Sequence, residues 1–207
     1  MSETKTIGVL ALQGDVVEHV HALERAGADV VEVRTPDDLA RVGGLVVPGG
    51  ESTTVIRLLD RFGLTQPVKD RVHRGMPFWG TCMGMIVAAR DVADIEQPTL
   101  DLLDVTVRRN AFGRQVDSAE VPLAIPALGE KPFPAVFIRA PWIERTGPNV
   151  ETLAERDGHG VMVRQANVLG TSFHPELTGD DRVHRYFLDM VESARNGSVR
   201  NVPRTSP

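Results

Sequence analysis

The segment Phe78-Trp79-Gly80-Thr81-Cys82-Met83-Gly84-Met85 joins a short apolar run to a helix-like stretch and contains the single cysteine of the chain. Glycines two residues either side of Cys82 give the G-x-C-x-G form of a nucleophile elbow, in which a strand turns sharply into a helix at the carboxyl edge of a sheet. The turn needs unusual backbone angles and close approach of chain segments, which a Cβ would obstruct. A thiolate at that point also lies at a helix N-terminus, where the dipole favours negative charge. A buried structural cysteine is the other reading of the same residues, since free Cys packs as a small hydrophobe.

Upstream of the elbow the chain alternates strands and helices. Thr6 to Leu12 is an apolar run of strand length, and Gln13-Gly14 turns it. Asp15 is positioned to cap a helix with Glu18 as its capping-box partner. That helix carries Val16, Val17, Val20, Leu23 and Ala26 on one face and stops at Gly27. Val30–Val33 and Leu45–Val47 read as strands, Ser52 to Phe62 and Gln66 to Arg74 as helices, and the helix after Cys82 runs to about Arg90. Such alternation predicts a parallel, doubly wound sheet. The second half is strand-rich, with runs at 105–107, 119–123, 135–138, 152–155, 161–164 and 168–173, and Asp157-Gly158-His159-Gly160 as a hairpin turn. A last helix, 181–195, ends at Asn196-Gly197. The prediction is one α/β domain over 1–197 and a disordered tail over 198–207.

Composition sets the class. The 207 residues are 42% hydrophobic and 25% charged, ordinary for a soluble globular chain. A net charge of −5 without a long basic run argues against nucleic acid as a partner. No apolar stretch reaches membrane-spanning length and no signal-peptide pattern precedes residue 7. One cysteine excludes an internal disulfide framework and suits a reducing cytoplasm.

A cysteine nucleophile needs a base, an orienter for the base, and donors for an oxyanion. Of the six histidines, His19 and His21 are two apart on a helix and face different ways. His73 and His184 sit among charged residues and read as solvated, and His159 is in a turn. His174 differs, because Ser172-Phe173-His174-Pro175-Glu176 places it where a buried strand ends and Pro175 fixes the exit. Glu176 is then within reach to orient the imidazole. Pro48-Gly49-Gly50-Glu51-Ser52 runs from strand into helix through two glycines. The Gly49 and Gly50 amides, with that of Met83, are candidate oxyanion donors; a tight turn with a Ser N-cap fits those residues equally. There is no P-loop, no second cysteine and no H-E-x-x-H, so neither cofactor nor metal is expected.

The elbow, the P-G-G-E-S loop and the H-P-E segment, in that order, resemble class I, triad-type glutamine amidotransferases. More narrowly, the chain is similar to the glutaminase subunits of pyridoxal 5′-phosphate synthases. The segments that carry this are Gly8 to Asp15 with Glu18-His19, Pro48 to Thr54, Arg109 to Ser118, Phe137 to Pro141 and Ser172 to Leu177. The resemblance implies a single three-layer, flavodoxin-like domain with a mostly parallel central sheet and extra short strands in the second half. It implies a triad of Cys82, His174 and Glu176 that hydrolyses L-glutamine through a glutamyl thioester. Gly50, Glu51, Ser52, Arg109, Ile138 and Arg139 match the glutamine contacts. The implied partner is a (β/α)8-barrel synthase subunit in a large hetero-oligomer, which joins the ammonia to ribose 5-phosphate and glyceraldehyde 3-phosphate. Gln13, Gly14 and the first helix match the interface, with activity low until the partner orders the oxyanion hole. The chain departs from the family pattern at Met83, where alanine is usual, and at Ala111 and Ala119, where serine and phenylalanine are common. A glutaminase for another acceptor, such as imidazole glycerol phosphate synthase, and a catalytically silent binding subunit remain as alternatives.

Overall fold

The computed structural model describes residues 6–93, 95–109 and 118–200, the side chains of 198–200 excepted. Its first half is β1 (Thr6–Leu10), α1 (Val16–Arg25), β2 (Asp29–Val33), α2 (Pro36–Ala40), β3 (Gly44–Val47), α3 (Ser52–Arg61), α4 (Thr65–His73), β4 (Phe78–Thr81) and α5 (Met83–Ala88). There follow β5 (Ala89–Val92), β6 (Leu103–Arg108), β7 (Ser118–Leu123), β8 (Phe133–Ile138) and β9 (Trp142–Thr146). The chain closes with β10 (Glu151–Arg156), β11 (His159–Gln165), β12 (Val168–Thr171) and α6 (Arg182–Arg200).

The main sheet has the order β2-β1-β3-β4-β12-β11-β9-β6-β5, with β10 paired to β11. From β2 to β12 every pairing is parallel. β1, β3, β4 and β12 are buried along their whole length, as expected for parallel strands covered on both faces. Beyond β12 the sheet continues antiparallel through β11 and β9 to β6, and β7 and β8 form a separate antiparallel ribbon. Alternate residues of each central strand enter different cores. Leu45 and Val47 join the side chains of α3, α4 and α5, while Val46 joins Leu23 of α1 and Phe187 of α6. The result is three layers, with the chain reversing direction between β1 and β3. In such sheets ligands bind outside the carboxyl ends of the strands at that reversal.

Several elements differ from the sequence expectation. α1 turns His19, Ala22 and Leu23 inward and leaves Val17 56% exposed. Residues 19, 22, 23 and 26 share a helical stripe, whereas 17 lies about 200° from 19. Asp15 is the N-cap of α1 but makes no capping bond with its side chain. Glu51, not Ser52, is the N-cap of α3. α5 stops at Ala88, where the chain passes directly into β5. α6 continues through Asn196 and Gly197 to Arg200, held by the apolar face of its earlier turns; residues 201–207 lie outside the described residues.

Candidate active site

The elbow is built by backbone contact. Cys82 has φ 49° and ψ −105° between β4 and α5, a left-handed conformation rare for a residue with a Cβ. It is held because nothing around it can relax. A Cβ on Gly80 would stand 2.3 Å from the backbone of Gly84, and one on Gly84 would stand 2.0 Å from the carbonyl oxygen of Val47 in β3. Strand, helix and neighbouring strand therefore touch main chain to main chain, which fixes the glycine spacing read from the sequence. The Cys82 amide donates to the Thr171 carbonyl at 2.7 Å, tying the elbow to β12, the strand that leads to His174.

His174 leaves β12 with its amide donating to Val136 at 2.8 Å, and Pro175 opens a single 3-10 turn, Pro175–Leu177, that brings Glu176 back beneath it. His174 Nδ1 lies 2.7 Å from Glu176 Oε1 and 3.5 Å from Asp15 Oδ2. Nδ1 therefore donates to the carboxylate, and Nε2 is left for the cysteine. Burial opposes a charge on His174, but hydrogen bonding to Cys82 and Glu176 outweighs it and carries its pKa up to about 10. Burial also pushes Glu176 up, offset in part by His174, and pushes Asp15 up against the same imidazole. The shared proton rests on the imidazole, since a carboxylate and an ionised sulfur beside it both favour the cation.

Cys82 and His174 open into a cavity of about 270 Å³ lined also by Gly50, Glu51, Ser52, Met83, Arg109, Ile138 and Arg139. Arg109 reaches Glu51 Oε1 at 3.1 Å, so a cation and an anion stand side by side in its wall. The Ile138 carbonyl lies 4.0 Å from Cys82 Sγ. Ser52 is buried with its hydroxyl on Gln97 Oε1 at 3.2 Å. Met83 lines the cavity and is otherwise enclosed, joining the core that includes Val47, Val55 and Ile86. Gly49 sits against His174, where a Cβ would come within 2.6 Å of the ring, and its carbonyl accepts from the Asp15 amide at 3.2 Å. Gln13 Oε1 accepts from the Glu51 amide at 2.8 Å. A second cavity, about 310 Å³, lies between the end of α1 and α6. It holds none of these groups, and chemistry, not size, identifies the site. Ligand atoms of Asp15, His174 and Glu176 lie within 4.8 Å of one another, a closeness that the His174–Glu176 hydrogen bond already explains.

The residues proposed from the sequence for catalysis and glutamine contact thus gather in one place, on the loops after β3, β4, β6 and β12 and at the end of β8. Residues 110–117 of the R-N-x-F-G-R-Q-V-D-S segment lie outside the described residues, but Arg109 is in place. The histidine assignments need one correction. His73 is exposed and His159 stacks on Trp142 at 3.8 Å, but His184 is fully buried, as is His19. The signal for His184 was its spacing: it lies three and seven residues before Phe187 and Val191 on the buried stripe of α6. Asp15 and Gln97 were missed as site residues, because a turn aspartate and a loop glutamine carry no distinguishing pattern.

The chain shares its fold with a glutamine amidotransferase: a crystal structure described as that of such an enzyme superposes with a TM-score of 0.86 at 48% identity, covering 90% of this chain and 98% of that one. The chain matches the SNO glutamine amidotransferase family over residues 9–193, and it belongs to that family. A pyridoxal 5′-phosphate synthase subunit PdxT from Dehalococcoides mccartyi is 57% identical over 189 residues, 90% of this chain and 97% of that protein. The subunit of the same name from Streptomyces avermitilis is 55% identical over 194 residues, 93% and 96% of the two chains.

Proposed function

We propose that this chain hydrolyses L-glutamine to L-glutamate and ammonia as the glutaminase subunit of a pyridoxal 5′-phosphate synthase, in the cytoplasm, and passes the ammonia to a synthase subunit. The observation that carries the reading is the continuous arrangement of Cys82, His174 and Glu176, opening onto an Arg109–Glu51 pair. A free amino acid presents a carboxylate and an ammonium together, and an adjacent guanidinium and carboxylate complement both. Family membership and the relatives' names support the choice of substrate and assembly.

The chemistry follows from the geometry. Cys82 Sγ adds to the side-chain amide carbon of glutamine, and the electron pair displaced from the carbonyl goes to its oxygen. That oxyanion is met by the amides of Gly49, Gly50 and Met83. As the tetrahedral adduct collapses, the C–N bond breaks and His174 gives its Nε2 proton to the departing nitrogen, leaving ammonia and a glutamyl thioester. Neutral His174 then takes a proton from water, the hydroxide adds to the thioester carbon, and the C–S bond breaks to release glutamate and restore the thiolate. Glu176 holds the imidazole through both steps without itself becoming protonated. Ile138 and Arg139 line the same cavity as Glu51 and Ser52.

Ammonia released into bulk water would be protonated and diluted, so the acceptor docks over the site. In this proposal the acceptor is a (β/α)8-barrel subunit within a hetero-oligomer, and Gln13, Gly14 and α1 meet it. Among the described residues no helix is long and apolar enough to cross a membrane. The test is glutamate and ammonia release by the chain alone and with candidate synthases, beside Cys82→Ala. Stimulation by a pyridoxal 5′-phosphate synthase subunit is expected. Absence of stimulation by any synthase refutes the assembly, and full activity of Cys82→Ala refutes the mechanism.

A further inference from the structure

We infer that His19, a residue outside the triad, is a positioning residue for the glutaminase reaction: it anchors the second oxygen of Glu176, so that Glu176 can hold His174 at one angle. The inference rests on the function proposed above and goes beyond it in extending the site two layers deeper into the core.

Glu176 uses Oε1 on His174. Its Oε2 is buried and makes no hydrogen bond; Nε2 of His19 lies 3.3 Å from it, and both side chains are wholly inaccessible to solvent. The terminal torsion of a glutamate is broad, so one hydrogen bond leaves the carboxylate free to swing about that contact. A second anchor on the opposite oxygen removes the swing. His19 is itself fixed. Its Nε2 lies 3.0 Å from the hydroxyl of Thr81, the residue before the nucleophile, and its Nδ1 lies 3.4 Å from Nε2 of His184. Trp79 stands edge-on to both imidazoles, 5.4 Å from His19 and 5.0 Å from His184, and its own indole N–H is bound to Thr171 at 3.1 Å.

The protons in this cluster can be placed so that every ring N–H meets an acceptor. Burial, then His184 and His174, hold the pKa of His19 well below its usual value, so the ring is neutral and carries one N–H. On the Nε2 side stand a hydroxyl and a carboxylate, and on the Nδ1 side a ring nitrogen. With the N–H on Nε2 it bonds to Thr81 and faces the carboxylate 3.3 Å away, while Nδ1 accepts from His184. Burial also makes His184 neutral, with its pKa down to about 4, and its Nδ1 makes no hydrogen bond. A bare acceptor there costs less than an orphaned N–H would. The donors thus run toward Glu176: His184 to His19, the His19 N–H beside Oε2 at 3.3 Å, and His174 to Oε1. A donor on one oxygen and an N–H facing the other favour the anionic form of the carboxylate, the form that can hold an imidazolium.

The test compares His19→Leu, which removes the donor, with His19→Gln, whose side-chain nitrogen falls near Nε2, and His19→Asn, whose nitrogen falls near Nδ1. Leu23→Ala, a buried truncation on the same face of α1, controls for loss of packing. In the complex with the synthase subunit, His19→Leu is expected to lower kcat roughly 10–100-fold with KM within about twofold, since an orienter acts on the chemical step. His19→Gln is expected to recover to within about fivefold of wild type, and His19→Asn to behave like His19→Leu. In the isolated chain, the low-field proton resonance of His174 Nδ1–H should move upfield or broaden in His19→Leu and return in His19→Gln. Unchanged kcat in His19→Leu, equal activity of the Gln and Asn variants, or a kcat loss that Leu23→Ala reproduces at the same Tm each overturn the inference. An unmoved resonance also overturns it, and that readout needs no turnover. Wild type that releases no glutamate with any synthase would instead refute the functional proposal, leaving the resonance to decide the role of His19.

Discussion

His184 makes the stability of this protein sensitive to acid by an amount that can be worked out. The residue is fully buried beside Trp79, His19 and Phe187, and desolvation, with a smaller contribution from Arg25 and opposition from Asp181, moves its pKa from 6.5 to about 4. The unfolded chain takes up a proton there below pH 6.5, and the folded chain does not until about pH 4. Stability therefore falls as pH falls through that window, because the unfolded state binds more protons. At pH 5 the unfolded imidazole is mostly protonated and the folded one mostly neutral, which favours unfolding by about 2 kcal/mol relative to pH 8. For a domain of this size that corresponds to roughly 4–8 °C in Tm. The assay is urea unfolding of wild type and His184→Leu at pH 8 and pH 5. His184→Leu should lose about 2 kcal/mol less than wild type between the two pH values, whatever its standing at pH 8. Removing His184 also relieves one cause that holds the pKa of His19 down, which adds to the difference in the same direction. His174 acts oppositely. Its stabilising proton is fully present below 6.5 and lost as pH rises through about 10, a contribution common to both chains. A difference between the chains below about 0.5 kcal/mol would refute the reasoning, since the buried imidazole would then be titrating as it does in water.

Three further outcomes follow from the site. In Cys82→Ala, the His174 pKa should fall from about 10, because the hydrogen bond and charge of the cysteine are among the causes that raise it; an NMR titration that still gives about 10 would remove Cys82 from that role. Gly84→Ala should cost about 1–3 kcal/mol and lower glutamate release at least about tenfold, since its Cβ meets the Val47 carbonyl rather than a yielding side chain; wild-type stability in a denaturant titration contradicts this. Arg109→Lys should raise the KM for glutamine roughly 10-fold or more with a smaller change in kcat, because an ammonium lacks the planar fork that suits a carboxylate; steady-state kinetics showing an unchanged KM would dissociate Arg109 from the substrate.

The candidate site at the end of the sheet was legible because its signals are local. Glycine spacing around Cys82 and proline after His174 specify backbone paths within a few residues, and the path sets the side chain. The parallel half of the sheet was legible for a related reason, since continuous apolar strands alternating with capped helices leave few topologies. What escaped was decided at longer range. The apolar run Met85–Ala89 reads as unbroken helix, yet the chain leaves α5 at Ala88 to pair Ala89 with Leu103. β9 pairs with both β6 and β11, strands distant in sequence, and its own residues mix Trp, Ile, Glu, Arg and Thr without alternation. α2 carried a readable signature, a Thr35–Asp38 capping box with Pro36 at its first turn, but only five residues to display it. His184 was misread because Asp181, Arg182 and Arg185 surround it in sequence, whereas Arg182 and Arg185 fall on other faces of the helix and Asp181 precedes it.

The same distinction explains why the loop after β1 matters more than its composition suggests. Gln13 accepts from the amide of Glu51, and Asp15 donates its amide to the carbonyl of Gly49 while its carboxylate lies 3.5 Å from His174. One turn later His19 stands behind Glu176. A single seven-residue stretch therefore touches the glycine loop, the base and the orienter, and a Cβ at Gly14 would collide with the Gly49 carbonyl at 1.8 Å. The opposite face of that stretch is open, with Val17, Glu18 and His21 exposed. In the proposed assembly a subunit docking on α1 would press on a lever whose other side carries three parts of the site. Small rotations of α1 would then change oxyanion donors and imidazole angle together, and glutamine hydrolysis would depend on the presence of its ammonia acceptor with no separate signalling element.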